Sequence, residues 1–590
     1  MKKFVSIFLG FYFLFGGINA NAQVASTTKL NLSNISKSIQ PGHPRLYFQA
    51  EQVEGLKGKL QKPEQVATMK QLDVLLKKQP DPIFVGSYAA AYFFKHSLQP
   101  QSLLVDSALK YIRYTLSDRY KFEETDPNYQ GENPIALWNS NYKAIYKAPN
   151  LLALALAYDL GYNHIPDTLR IRLAKHLEQN ATQMVKGEGV GFNSNAWSNW
   201  QGIVNGAAAV AFLSVSGEKG TTPGSKIWLD SALVRSVRHL DYLGDKAGNA
   251  EGFDYLRLEM CAGVLPLALA YKNMFGQPMP GTEKLAHLAQ LYSLIAVKAD
   301  TTVLTASFGN GGNFWNTNTW RSGDWVMSLG LAKTETLPVA QGGFDLIFGL
   351  KGDKTFNLFK PHDAIFAYLF YPEKSTFLKP GNGPFFFADE KAGFYLFRST
   401  IGTGNDILFT TTANLLAKHK AHSYRDAGSF RLIAHNRIIA GRGEPGSKKV
   451  EDASLENVVQ LIGAANWNPA KIIRFETDNA TRLHLEFDMT PVYQAGTKVG
   501  EQKSIGIFEA KRTFKLNFQT GLDVVVNVAD SLQGGGVHCW RLHTNWRTWF
   551  NGSDRFRARQ GGTPAFEGGV MEMCNPKEGV YQVMLRVEDE

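Results

Sequence analysis

The texture of this chain changes once, and that change constrains the fold more than any other feature. From about Gln40 to Pro380, apolar residues recur at helical spacing, as in Leu151–Leu160, Ile203–Val215, Ile227–Leu243, Ala262–Phe275 and Leu285–Val297. Ala and Leu dominate these runs, and Gly, Pro and Asn fill the breaks. The stretch Lys379-Pro380-Gly381-Asn382-Gly383-Pro384 then reads as a linker. Beyond it the runs are short, β-branched, aromatic and alternating: Gly393–Arg398, Ile407–Thr412, Phe430–Ala434, Ile472–Glu476, Leu483–Phe487, Ile505–Ala510, Thr513–Phe518, Leu522–Val528 and Val580–Val587. A chain of 590 residues is too long for one core. The pattern predicts an all-α part over residues 23–380, helix pairs closed into a barrel or toroid, and an antiparallel β-sandwich over residues 385–590. No exact repeat is visible, so helical spacing alone supports the ring.

The first residues predict the compartment. Lys2 and Lys3 open the chain, Phe4–Phe15 is an apolar run, and Ala20-Asn21-Ala22 is a small-x-small cleavage site. Residues 1–22 therefore read as a signal peptide, and the mature protein as secreted or periplasmic. No later segment has enough consecutive apolar residues to span a bilayer, so no membrane association is expected after cleavage. The formal net charge is +10, and it stays positive without Lys2 and Lys3. That suits an acidic partner. No Lys/Arg run is dense enough to indicate nucleic acid. Of the three cysteines, Cys261 sits in an apolar helical run, and Cys539 and Cys574 share the C-terminal half, where pairing is left open. Nothing in the sequence fixes an oligomeric state.

Four polar clusters carry chemistry. Asn193-Ser194-Asn195-Ala196-Trp197-Ser198-Asn199-Trp200 leads into an apolar helix. The faces of Trp197 and Trp200 suit sugar rings, and a helix N-terminus such as that at Asn199 favours an anion. Glu251-Gly252-Phe253-Asp254-Tyr255 also precedes an apolar helix and offers a carboxyl and a phenol. His419-Lys420-Ala421-His422-Ser423-Tyr424-Arg425-Asp426 places imidazole and Arg425 just before a core strand, and imidazole moves protons near neutral pH. Asn313–Trp325 mixes amides and aromatics with Trp320 and Arg321, the composition of a sugar-binding loop.

Together these residues resemble the heparinase II/III-like polysaccharide lyases. His43-Pro44-Arg45-Leu46-Tyr47-Phe48 is similar to the family's strand-like opening segment. Asn199-Trp200 stands where the family has an Asn that neutralises the uronate, and Glu251-Gly252-x-x-Tyr255 looks like the stretch with the catalytic Tyr. His422-x-Tyr424-x-Asp426-Ala427-Gly428-Ser429-Phe430 is similar to the motif that opens the family's sandwich. The resemblance implies an incomplete (α/α) toroid followed by an antiparallel β-sandwich, with the active cleft between them. It departs at Tyr424 and Ala440-Gly441-Arg442, where zinc-bearing members have ligands. Phenol, glycine and guanidinium do not build a zinc site, so no metal is expected.

The resulting expectation is an enzyme that cleaves uronate-containing anionic polysaccharide by β-elimination, without a cofactor. Asn199 binds the carboxylate and stabilises an enolate-like state. Tyr255 protonates the leaving O4, and either Tyr255 or His422 removes the C5 proton. Trp197, Trp200, Glu251, Trp320, Arg321 and Arg425 complete the substrate site. A glycoside hydrolase using two of Glu251, Asp254 and Asp324 is the alternative, and a noncatalytic glycan-binding protein the other. Alginate, glucuronan and glycosaminoglycans present the same C5 chemistry, so the polymer is left open.

Overall fold

The computed structural model describes residues 39, 42–78, 80, 84–117, 144–187, 196–299, 302–309, 323–349, 358–372, 383–416, 425–443, 453–461, 468–478, 481–494, 507–518, 524–534, 538–544, 556–560, 569–575 and 579–587. Residues 1–22, Trp320, Arg321, His422 and Tyr424 lie outside the described residues. As the apolar spacing predicts, the N-terminal part is helical and the C-terminal part consists of antiparallel sheets.

The helical part is arranged around Asn199–Val215, where every residue except Trp200 is buried. A helix apolar on all sides must lie inside its domain. Its small residues allow close neighbours. A Cβ on Gly206 would lie 2.5 Å from the backbone of Gly263, in the π-helical turn Met260–Val264. Ala144–Gly161, Asp167–Lys186 and Ser225–Tyr242 pack on its other faces. The last helix, Pro361–Phe370, returns to pack on Pro63–Leu76 and Val85–Leu98 near the start. The helices thus run round into an incomplete toroid. No helix among the described residues is long and apolar enough to cross a membrane.

The opening segment at His43–Phe48 forms bends rather than a strand. It is tied down by Asp159, whose carboxylate accepts the backbone N–H of Arg45 and Leu46 and pairs with His43 at 2.7 Å. The apolar run at Leu285–Val297 is also divided. A 3-10 stretch over Thr282–His287 leads into the helix Leu288–Ile295, and strand β1 (Ala296–Ala299) then pairs with β2 (Thr302–Thr305). Val297, Thr302, Val303 and Thr305 are β-branched and favour that hairpin.

The next five strands, β3 (Phe385–Asp389), β4 (Phe394–Arg398), β5 (Ile407–Thr412), β6 (Phe430–Ala434) and β7 (Arg437–Ala440), form one sheet in sequence order. Alternating side chains go to opposite faces of a strand. Leu396, Leu408 and Ile433 join the core of the helical part, whereas Tyr395, Phe397, Phe409, Phe430 and Leu432 join the core of the sandwich. The sheet is therefore buried on both sides, a middle layer shared by the two cores. Opposite it lies a five-stranded sheet made of β9 (Lys471–Thr477), β10 (Arg482–Asp488), β11 (Ile507–Phe518), β12 (Val524–Gly534) and β16 (Gly579–Val587). A third sheet contains β8 (Val459–Leu461), β13 (His538–Thr544), β14 (Phe556–Gln560) and β15 (Gly569–Asn575). In it Cys539 is disulfide-bonded and stands opposite Cys574 in register, while Cys261 is a buried thiol.

Two polar ties fix the middle sheet on the helices. The Asp389 carboxylate accepts the backbone N–H of Asp245, Lys246 and Gly248. The Arg398 guanidinium donates to the carbonyls of Ser293, Leu294 and Ala296 and pairs with Asp406 at 2.6 Å. A cation at the end of Leu288–Ile295 satisfies carbonyls that the helix leaves open.

Candidate active site

The site begins at the N-terminus of the central helix. Ser198 is its cap and accepts the N–H of Trp200, as short hydroxyl residues do at helix starts. Asn199 is the first helical residue and only 1% exposed. Its backbone N–H donates to Glu251 Oε2 at 3.0 Å. Neither side-chain atom of Asn199 has a hydrogen-bond partner among the described residues, and Glu251 Oε1 has none either. Buried polar atoms are rarely left so, since each costs about 1–3 kcal/mol when unmet.

Glu251 is wholly buried. Burial pushes its carboxyl up to about 8; the N–H of Asn199 and the hydroxyl of Ser198 pull it down, and the charge of Glu259 pushes it up. Near neutral pH Glu251 is therefore a neutral acid beside Asn199. One residue on, Gly252 has φ +94°, a conformation that suits glycine. The helix Phe253–Glu259 follows, and Tyr255 lies half-buried in its first turn.

Gly252 meets Gly309 in an isolated antiparallel bridge. A Cβ on Gly309 would stand 2.5 Å from Gly252 Cα, so Gly309 has no room for a side chain here. The N–H of Phe253 donates to Phe308 O at 3.3 Å. Gly309 in turn donates to Asp426 Oδ2 at 3.0 Å, and Arg442 donates to Gly309 O at 3.2 Å. Asp426 also accepts Asn414 Nδ2 at 2.7 Å. Burial, with the nearby charge of Glu456, pushes the Asp426 carboxyl up to about 6. A cleft of about 80 Å³ opens at this junction, lined by Asn249, Phe253 and Phe308 on one side and Phe394, Asn414 and Asp426 on the other.

The four sequence clusters thus converge, although they are far apart in the chain. Asn199 binds Glu251; Gly252, three residues before Tyr255, meets Gly309; Gly309 binds Asp426. Arg257, two residues past Tyr255, pairs with Asp324 at 2.8 Å, with both side chains buried. Trp197, Trp200 and Arg425 are half-buried on the same segments. Asn199 and Glu251 do not line the cleft; they lie buried beside it. His422, Trp320 and Arg321 lie outside the described residues, on segments flanked by Asp426, Gly309 and Asp324.

Sequence reasoning missed residues that hold the site together: His239, Glu259, Gly309 and Asp389. Only Gly309 carried a signal, in the run Gly309-Asn310-Gly311-Gly312. At the position expected to lack a metal ligand, Arg442 has a structural task, bracing Gly309 and lying 3.4 Å from Glu456.

No protein-family model matches this chain, and no curated protein does. Among solved structures, it is similar to a heparinase III, with a TM-score of 0.48 and 12% identity over 85% of this chain and 76% of that one. It is also similar to the heparan sulfate lyase HepC from Pedobacter heparinus, with a TM-score of 0.30 and 12% identity over 83% of this chain and 89% of that one. The third is a Paenibacillus xanthan lyase, with a TM-score of 0.39 and 10% identity over 91% of this chain and 59% of that one.

Proposed function

We propose that the chain is a polysaccharide lyase that cleaves a uronate-containing anionic polysaccharide by β-elimination. The observation that carries this reading is the buried side-chain amide of Asn199, which has no hydrogen-bond partner among the described residues and belongs to a residue whose backbone N–H donates to Glu251, four residues before Tyr255. A buried amide with no hydrogen-bond partner among the described residues is prepared for a group that arrives with the substrate. A carboxylate is the fitting group, because the helix N-terminus adds favourable potential and the neighbouring Glu251 carries no charge at neutral pH.

In the reaction a base removes the C5 proton next to the carboxylate. The C5–H electron pair forms the C4–C5 double bond, the C4–O4 bond breaks, and O4 leaves with a proton from an acid. No water is consumed. Asn199 stabilises the carboxylate as it gains enolate character. Tyr255 is the acid for O4, and Tyr255 or His422 is the base. The basic start, apolar run and small-x-small site read over residues 1–22 support an enzyme that acts outside the cytoplasm, where such polymers are met.

The arrangement does not favour a glycoside hydrolase, which needs two carboxyl groups facing one bond. Asp324 is buried against Arg257, and Glu251 is buried and tied to Asn199. The test is digestion of alginate, glucuronan and glycosaminoglycans, followed by the ultraviolet absorbance of the new double bond. Tyr255→Phe should lower turnover by about 10²–10⁴-fold with the fold intact. Asn199→Ala should lower kcat far more than it raises KM, because the amide acts most strongly on the charged intermediate. Tyr255→Phe that keeps more than about a tenth of the activity contradicts the assignment.

A further inference from the structure

Behind Asn199 and Glu251 lies a closed ring of hydrogen bonds centred on a residue from a third element. His239, near the end of the Ser225–Tyr242 helix, is wholly buried. Its Nδ1 lies 2.8 Å from Ala196 O, and its Nε2 lies 3.1 Å from Glu259 Oε2. The other oxygen of Glu259 accepts Asn249 Nδ2 at 2.7 Å. Asn249 Oδ1 accepts the N–H of Glu251 at 2.6 Å. Glu251 Oε2 accepts the N–H of Asn199, and the chain from Asn199 back to Ala196 closes the ring.

Both imidazole nitrogens face oxygens, the Ala196 carbonyl and a side-chain oxygen of Glu259. Burial alone would lower the pKa of His239, but the charge and hydrogen bond of Glu259 outweigh it and raise it. The central helix makes room for the ring. A Cβ on Gly202 would lie 2.9 Å from His239 Nε2. Glu259 is also wholly buried, so the two side chains form a joint shielded from solvent.

We infer that His239, with Glu259 and Asn249, is a positioning residue: a buried joint that sets the separation of the Asn199 segment from the Glu251–Tyr255 segment. His239 grips the backbone three residues before Asn199 and, through Glu259 and Asn249, the backbone of Glu251. Its catalytic consequence rests on the lyase reading of Asn199 and Tyr255; the mechanical coupling does not.

The test therefore has two independent readouts on the full mature chain. The first is amide hydrogen exchange in wild type, Asn249→Ala and His239→Gln. Asn249 makes no bond to residues 196–202 in the ring, yet its loss should speed exchange there as well as over 249–256, each by about tenfold, while strand β5 keeps its protection. His239→Gln should do the same. The second is kinetic: on whichever polymer the wild type cleaves, both variants should lose kcat by about tenfold or more with KM within about twofold. Loosening confined to the segment nearest each substitution overturns the joint, as does an even rise across the whole chain. If His239→Gln fails to fold, the milder Asn249→Ala decides. If the wild type yields no unsaturated product from any uronate polymer, the lyase reading fails, and the exchange readout still decides the coupling.

Discussion

A carboxyl group kept neutral beside an amide that has no hydrogen-bond partner among the described residues is a costly arrangement for one residue pair, and its cost makes it testable. Glu251 holds a proton in the folded state up to about pH 8, whereas in the unfolded chain it releases it near the ordinary carboxyl value. A group whose pKa is raised by folding adds stability that is fully present below the unfolded value and lost as pH rises through the folded one. Folding should therefore weaken between about pH 4.5 and 8 at this site. Glu251→Gln removes that dependence, so a plot of Tm against pH should be flatter for the variant over this window. The same substitution should remove an alkaline loss of kcat/KM, because ionised Glu251 would place a negative charge beside the carboxylate site. An unchanged alkaline limb in the Gln variant would assign that limb to another group. At this scale the sequence was legible where residues cluster locally. Asn199, Glu251 and Tyr255 each sit in a short polar run before an apolar helix. His239 and Glu259 were not legible, because each is one of several polar residues in its helix, and its role comes only from tertiary contact.

At the scale of elements, the crossing of Gly252 and Gly309 brings the Tyr255 helix against the segment that reaches Asp426. Gly309 has φ +68° and no room for a Cβ. Gly217 has φ +82° but nothing within 4 Å of a Cβ, so it serves as the control for backbone strain alone. Gly309→Ala should destabilise by about 1–3 kcal/mol more than Gly217→Ala, as read by denaturant melts, since it adds a clash to the strain. Equal effects would mean that the crossing relaxes freely. Strands with dense alternating apolar residues, such as Phe394–Arg398 and Ile407–Thr412, were readable from sequence. Others were not. Arg437–Ala440 spans four residues, and His538–Thr544 interrupts its alternation with His and Arg. The two-sided burial of the middle sheet was also hidden. The continuously buried run Ile407–Thr412 hints at it, but the second partner is the helical part, far away in the sequence.

At the scale of the molecule, the helical-then-β order was legible because it depends on periodicity summed over hundreds of residues. That four distant clusters meet at one junction was not, since convergence comes from the packing of the middle sheet on the helices. The positive formal charge of +10 belongs to this scale, because attraction to a polyanion is a property of the whole surface. The Debye length falls from ~10 Å at 0.1 M salt to ~3 Å at 1 M. KM for a polyuronate should therefore rise steeply with salt while kcat changes little. A flat KM would remove charge as support for an acidic substrate. The central claim is that the glycosidic bond breaks by elimination, and digestion of a uronate polymer in heavy-oxygen water followed by mass analysis of the products tests it most directly. Elimination predicts products that carry no solvent oxygen, with one chain end lighter by a water. Incorporation of one heavy oxygen per cleavage would show hydrolysis and contradict the account.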